Sequence, residues 1–207
     1  MMTDKPAAVH SRFTHLEVHS HYSLLGGTAS PVELATRAAS DGLSHLALTD
    51  TNALYGAVAF EQACQAAGIR PILGLTLPVA APSEVMGSGH SPDAGQLVLL
   101  ADGTAGYRSL CRLSSLIQGR PEREQLARRG LSWDEIKTNA GGLICLSGGR
   151  SGWIESQVRA GDHLAARRYT AKLGGIFGEK AYLGLEIHKA EDTEIAAEIV
   201  DLGRRFG

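Results

Sequence analysis

Apolar and polar positions along this chain switch repeatedly between a period of two and a period near 3.6. That switching predicts short strands alternating with amphipathic helices. The first stretch, Phe13 to Gly27, reads F-T-H-L-E-V-H-S-H-Y-S-L-L-G-G and sets His15, Glu17, His19 and His21 at every second residue. On a strand, that spacing aims all four side chains one way, until Gly26 and Gly27 break the element. Ser30-Pro31-x-Glu33 predicts a helix start with Ser30 as N-cap, Pro31 in the first turn and Glu33 closing a capping box. That helix runs to about Ser40 and ends near Gly42. Leu43–Leu48 predicts a strand running into the polar turn Thr49-Asp50-Thr51-Asn52. A helix from about Leu54 to Ala67 follows, with Val58, Ala59, Ala63 and Ala66 as its apolar positions and Gly68 as its stop.

Ile69 to Val79 reads as a buried strand, and residues 80–96, rich in Pro, Ser and Gly, as a surface loop. Beyond it the pattern predicts a strand at Leu97–Ala101, a helix from about Thr104 to Ile117 and a short helix opened by Ser132-Trp133-Asp134-Glu135. A strand at Gly142–Ser147, one or two helices over Gly152–Leu173, a strand at Ala181–Ile187 and a last helix from about Asp192 to Arg205 complete the chain. Roughly six βα units in succession imply a parallel sheet with helices outside it, either a TIM-like barrel or a doubly wound open sheet. Neither G-x-G-x-x-G nor G-x-x-x-x-G-K-[ST] follows any strand, which counts against a nucleotide-binding open sheet. Glu17, His19, Asp50, Ser147 and Glu186 fall at or near predicted C-terminal strand ends, where a barrel gathers its site. A barrel with its site at that mouth is the expected fold.

Composition narrows the function classes more than the fold. The chain has 207 residues, 43% of them hydrophobic, enough for one domain with a substantial core. A net charge of −2 gives no overall basic signature for nucleic acid. Cys64, Cys111 and Cys145 are too scattered for a disulfide framework or a C-x-x-C knuckle, so reduced and mostly buried thiols are expected. With no signal-peptide pattern and no long apolar run, the sequence predicts a cytoplasmic protein.

Several blocks in order carry a resemblance. The stretch H-L-E-V-H-S-H-Y-S-L-L-G-G, then A-L-T-D-T-N-A-L-Y-G-A-V-A-F, G-I-R-P-I-L-G, G-Y-R-S-L-C-R-L-S-S, G-G-L-I-C-L-S-G-G and Y-L-G-L-E-I together resemble the PHP (polymerase and histidinol phosphatase) domain. More narrowly they resemble the form that opens the α subunit of bacterial DNA polymerase III and related error-prone C-family polymerases. The likeness covers residues 13–207 and leaves 1–12 as an extension. It implies a distorted TIM-like (β/α)7 barrel in which His, Asp, Glu and Cys side chains hold up to three metal ions that hydrolyse phosphate esters.

Transferred residue by residue, most of that ligand set is replaced. The family's His-x-His falls on Glu17 and His19, so His21 is not its second histidine. The Asp expected before Gly27 is Gly26, and the His of Thr-Asp-His is Thr51. The expected Glu is Thr76, a His falls on Gln96, the Cys on Gly149, and a final Asp-x-His would lie beyond Gly207. A remnant of His19, Asp50 and Glu17, with Glu186 nearby, is left to bind at most a residual divalent ion (Zn, Mn or Mg). The resemblance therefore implies an N-terminal PHP domain with a degenerate metal site, C-terminally truncated, that supports a polymerase in replication or repair synthesis. Its implied partners are the remainder of the α subunit, a proofreading exonuclease and, through the full-length protein, DNA. A stand-alone PHP phosphoesterase and a pure interaction module are the alternatives.

Each candidate also has a plainer reading. His19 and Asp50 fit a hydrogen-bonded strand end as well as a metal site. His15 suits a core or capping place and His21 a solvent-facing one, while His188 pairs in spacing with Glu186. Asp50 or Asn52 suits the cap of the next helix. Arg108, Arg112, Arg120, Arg123, Arg128 and Arg129 could face DNA, but Glu122 and Glu124 make a mixed-charge surface the expectation. Trp133 and Trp153 read as packing residues.

Overall fold

The computed structural model describes residues 13–82, 94–121, 125 and 129–206; the extension at 1–12, most of the expected loop at 80–96, and Glu122, Arg123, Glu124 and Arg128 lie outside them. The chain forms two compact units. One is built on residues up to Thr51 together with Tyr55–Leu73, the other on Asn52–Leu54 and the chain from Gly74 onward.

In the first unit, α1 spans Pro31–Ser40 behind a complete capping box. The Ser30 hydroxyl accepts from the Glu33 N–H at 3.2 Å, and the Glu33 carboxylate accepts from the Ser30 N–H at 2.7 Å. β1 (His45–Leu48) pairs in parallel with the first half of β2 (Arg70–Val79), His45 opposite Arg70 and Leu48 opposite Leu73. Between them, α2 (Ala57–Ala67) stops at Gly68, whose φ of 73° is the left-handed conformation that favours glycine. Its core face is Ala57, Phe60, Ala63 and Cys64, whereas Val58 and Ala66 are exposed. Of the apolar positions expected from sequence, Ala63 lies on this face while Val58 and Ala66 turn outward, because Phe60 is the largest apolar side chain on the helix and sets which side turns inward. Phe60 packs with Ala35, Ala38, Leu46, Leu48 and Ile69 to form this unit's core.

The expected first strand is not one. Ala47 and Thr49 donate to the carbonyls of His15 and Val18 at 3.0 and 2.8 Å, so residues 15–18 do lie beside β1. The donors are two residues apart and the acceptors three, which breaks the register of a parallel ladder. The extra residue undoes the period-two alignment: His15 and His21 are exposed, while His19 is half-buried. His15 packs edge-on against Phe13 rather than entering a core or a cap.

In the second unit, the second half of β2 runs antiparallel to β3 (Gly95–Ala101), β3 antiparallel to β4 (Leu143–Leu146), and β4 parallel to β5 (Ala181–Tyr182). Among the described residues, five strands follow one another in sequence order through a mixed sheet. The expectation of an all-parallel sheet is therefore corrected. Val79 faces Gly95 across an antiparallel ladder, an arrangement that needs no crossover helix. Helices α3 (Gly103–Gln118), α4 (Trp133–Thr138), α5 (Trp153–Arg159), α6 (His163–Phe177) and α7 (Asp192–Phe206) follow in chain order, with α3 and α6 packed on the strands and α7 on α5 and α6. A second capping box, Ser132 with Glu135, opens α4. Leu75, Leu77, Leu97, Leu99, Leu110, Leu113 and Tyr169 form the core. Both tryptophans pack here: Trp153 donates to the Val79 carbonyl and Trp133 to that of Ala80. The expected strand at 181–187 is shortened to Ala181–Tyr182.

Candidate functional site

The first unit collects its chemistry at the end of β1. Asp50, only 2% exposed, accepts three hydrogen bonds of 2.7 Å each, from the Ser20 N–H, the Ser20 hydroxyl and the Ser23 hydroxyl. It does not cap α2, whose N-cap is Gly56. It ties down the turn at 20–27 instead, where Gly26 and Gly27 donate to the Ser23 carbonyl. A Cβ on Gly56 would come within 3.1 Å of the Asp50 carboxylate, so glycine keeps this corner open.

Hydrogen-bond accounting fixes which ring nitrogen of His19 donates to Ser23. Ser23 has one hydroxyl proton, which goes to Asp50, and its oxygen accepts from the Thr51 N–H at 2.9 Å. The 3.1 Å contact from His19 Nδ1 to that oxygen therefore has Nδ1–H as donor. His19 Nε2 turns to the Glu17 carboxylate, 3.9 Å away. Ser23 thus links His19 to Asp50, and Glu17 approaches His19 from the other side of the ring. Thr51, where the family motif carries histidine, contributes a backbone N–H. Among the described residues, no group of three or more His, Cys, Asp or Glu side chains stands close enough to hold a metal ion.

The second unit has its own polar cluster, at the end of β4. Ser147 receives the Gly184 N–H on its hydroxyl at 2.9 Å. Gly148 and Gly149 both have positive φ, and the Glu186 carboxylate lies over this turn, accepting from the Arg150 N–H at 3.2 Å. His188 Nε2 meets the other Glu186 oxygen at 3.2 Å, as their spacing suggested. A Cβ on Gly149 would overlap Glu186, so glycine at the motif's cysteine position makes room for that carboxylate.

Sequence reasoning missed the charged network beneath this turn. Asp192, fully buried at the start of α7, accepts from Arg150 Nη2 at 2.7 Å and Arg159 Nη2 at 2.8 Å on one oxygen. Its other oxygen accepts the His188 and Lys189 N–H groups at 3.0 and 3.2 Å. Glu155, also buried, accepts from Arg159 Nε and Nη2. The one local signal was the i, i+4 spacing of Glu155 and Arg159.

The Arg159 hydrogen bond, then the two backbone N–H groups and the Arg150 charge, hold the Asp192 carboxyl well below its ordinary 3.8. A depressed carboxyl stabilises the fold above its unfolded-state value and loses that contribution as pH falls through the folded-state value. Melting temperature should accordingly drop more steeply below about pH 4 in the native chain than in Asp192→Asn, measured by circular dichroism across that range. Parallel curves would remove Asp192 from the acid response.

Elsewhere the sequence readings divide. Arg120 pairs with Glu135, and Arg108, Arg112 and Arg129 are exposed. Burial raises the Cys64 thiol to about 11 and pushes Cys145 up further, which leaves both protonated at neutral pH; Cys111 is half-buried and free. No helix among the described residues is long and apolar enough to cross a membrane.

Strands in a mixed sheet, helices between them, and carboxylates and imidazoles at strand ends define an α/β domain with polar clusters where its strands finish. The chain belongs to the PHP family: the PHP domain model matches residues 15–190. It is 36% identical to DNA polymerase III subunit alpha of Bacillus subtilis over 170 residues, covering 82% of this chain and 14% of that protein. It is 33% identical to DNA polymerase III subunit alpha of Borreliella burgdorferi over 204 residues, covering 95% of this chain and 17% of that one. An error-prone DNA polymerase of Mycobacterium bovis is 32% identical over 206 residues, with coverage of 94% and 18%. The chain thus spans less than a fifth of the length of these relatives. Among solved structures, an amidohydrolase from Chromobacterium violaceum aligns with TM-score 0.48 and 15% identity over 89% of this chain and 96% of that one.

Proposed function

We propose that this chain is the N-terminal PHP domain of a DNA polymerase III α-like polymerase acting in replication or repair synthesis, with a degenerate metal site and a supporting, partner-binding role. The (β/α)7 barrel of the family belongs to the same proposal, as does a cytoplasmic location. The observation that carries the reading is Asp50. A carboxylate ready for metal leaves lone pairs directed at the ion, whereas both Asp50 oxygens already accept donors from Ser20 and Ser23. With threonine at 51 and 76 and glycine at 26 and 149, His19, Asp50 and Glu17 supply a remnant that suits at most one divalent ion (Zn, Mn or Mg). A multinuclear hydrolytic centre needs several more ligands. The partners in this reading are the rest of the polymerase chain, a proofreading exonuclease and, through the whole protein, DNA.

The test is a phosphodiesterase and phosphatase assay on the native chain and on His19→Ala with added Mn, Zn or Mg. The expected result is the same background in both. Metal-dependent turnover that disappears in His19→Ala would favour a stand-alone phosphoesterase.

A further inference from the structure

Three helices of the second unit enclose a cleft that neither strand-end cluster uses. α5, α6 and α7 pack on one another, and the space left between them measures about 170 Å³. Its floor is apolar and buried, made by Val158, Ala166 and Leu202. Its walls are charged: Arg167 comes from α6, and Glu198, Asp201 and Arg205 come from α7. These charges are unevenly matched. The Glu198 carboxylate meets His163 Nδ1 at 3.3 Å, and that of Asp201 meets Arg204 Nη1 at 3.7 Å. Arg205 lies four residues after Asp201, the spacing of a helical ion pair, yet that carboxylate turns to Arg204 instead. Arg167 and Arg205 are exposed and have no hydrogen-bond or ion-pair partner among the described residues. Both carboxylates are thus engaged, and both guanidiniums are left to the cleft.

We propose that this cleft binds a small phosphate monoester, its phosphoryl group on Arg167 and Arg205 and its organic part against Val158, Ala166 and Leu202. A phosphate monoester is close to a dianion at neutral pH, so it can neutralise both guanidiniums. Each planar guanidinium fork can take two phosphate oxygens at once. A carboxylate carries one charge and satisfies one such fork. The apolar floor calls for an organic body that inorganic phosphate lacks. Volume limits that body: drug-sized ligands fill pockets of about 300–1,000 Å³, so a single ring or short chain fits here and a nucleotide does not. None of these side chains takes part in the strand-end clusters, so binding here does not depend on the polymerase reading.

The experiment titrates the protein as its gene encodes it with phenyl phosphate, benzoate and inorganic phosphate at low salt, followed by ligand-detected NMR. Phenyl phosphate should bind, with inorganic phosphate and benzoate each about tenfold weaker. Arg167→Gln and Arg205→Gln should each weaken phenyl phosphate about tenfold and leave the melting temperature unchanged, because both side chains are exposed. Inorganic phosphate bound as tightly as phenyl phosphate would mean an adventitious ion only and would overturn the proposal. Benzoate bound as tightly would overturn it too, since the second charge of the head would then count for nothing. The comparison of the three probes needs no variant to fold. Absence of phenyl phosphate binding, or binding indifferent to both arginine substitutions, would also overturn it.

Discussion

Asp50→Ala should lower stability by about 3–5 kcal/mol, one of the largest losses any single side chain here can cause. Three charge-assisted hydrogen bonds of 2.7 Å disappear together, and the Ser20 N–H and two serine hydroxyls are left without acceptors in a buried place. Ser23 then loses the partner that orients its oxygen toward His19 and the Thr51 N–H. In a domain of this size the melting temperature should fall by about 10 °C. Asp50→Asn should cost roughly half as much, since one amide oxygen still accepts while the NH2 faces hydroxyls that must reverse. Circular dichroism melts of the three proteins check the order. A change within about 0.5 kcal/mol for Asp50→Ala would show that the turn does not depend on this carboxylate.

The second large effect reverses a familiar rule. Gly106 lies inside α3, where alanine ordinarily stabilises by about 1 kcal/mol. Here a Cβ would overlap the Gly142 carbonyl oxygen and lie 2.9 Å from the Ala101 Cα, both backbone atoms that no side-chain rotation can clear. The same Gly142 carbonyl accepts the Asp102 N–H at 2.8 Å, so moving it also strains the approach to α3. Gly106→Ala should therefore destabilise by about 2–4 kcal/mol. Gly174 and Gly175 in α6 have nothing within 4 Å of an added Cβ, and alanine there should stabilise by about 0.5–1 kcal/mol. Urea unfolding of the three variants separates packing from propensity. A Gly106→Ala protein as stable as the native chain, or more so, would refute the close approach at Gly106.

Local signals in the sequence were legible where one element decides the outcome. Ser30-Pro31-x-Glu33 and Ser132 with Glu135 form the capping boxes their spacing implies, because a cap involves only residues within one turn. Gly68 ends α2 for the same local reason. Strand direction was not legible: periodicity is identical in parallel and antiparallel ladders, so β3 against β2 and β4 could not be read. The row His15, Glu17, His19 and His21 looked like one face of a strand. A single extra residue between the His15 and Val18 acceptors removes that alignment.

The candidate site shows the same limit. Glu17, His19 and Asp50 were named by motif; Ser23 bridges His19 and Asp50, and the three do not form a group close enough to hold a metal among the described residues. Ser20 and Ser23, which bind Asp50 and, through Ser23, reach His19, carry no sequence signal beyond lying in a tight turn. Arg150, Glu155, Arg159 and Asp192 lie up to 42 positions apart and meet where α5 and the turn before it pack on α7. Gly149 was visible only as a missing cysteine, whereas in the fold it makes room for Glu186.

The central proposal is that this PHP domain carries a hydrogen-bonded turn in place of a metal centre. Elemental analysis of protein purified without chelator and then dialysed against Zn, Mn and Mg tests it most directly. The account predicts at most one ion per chain, no phosphoester hydrolysis, and no gain in melting temperature that depends on His19. Two or more ions held per chain, with hydrolysis lost in His19→Ala, would contradict it.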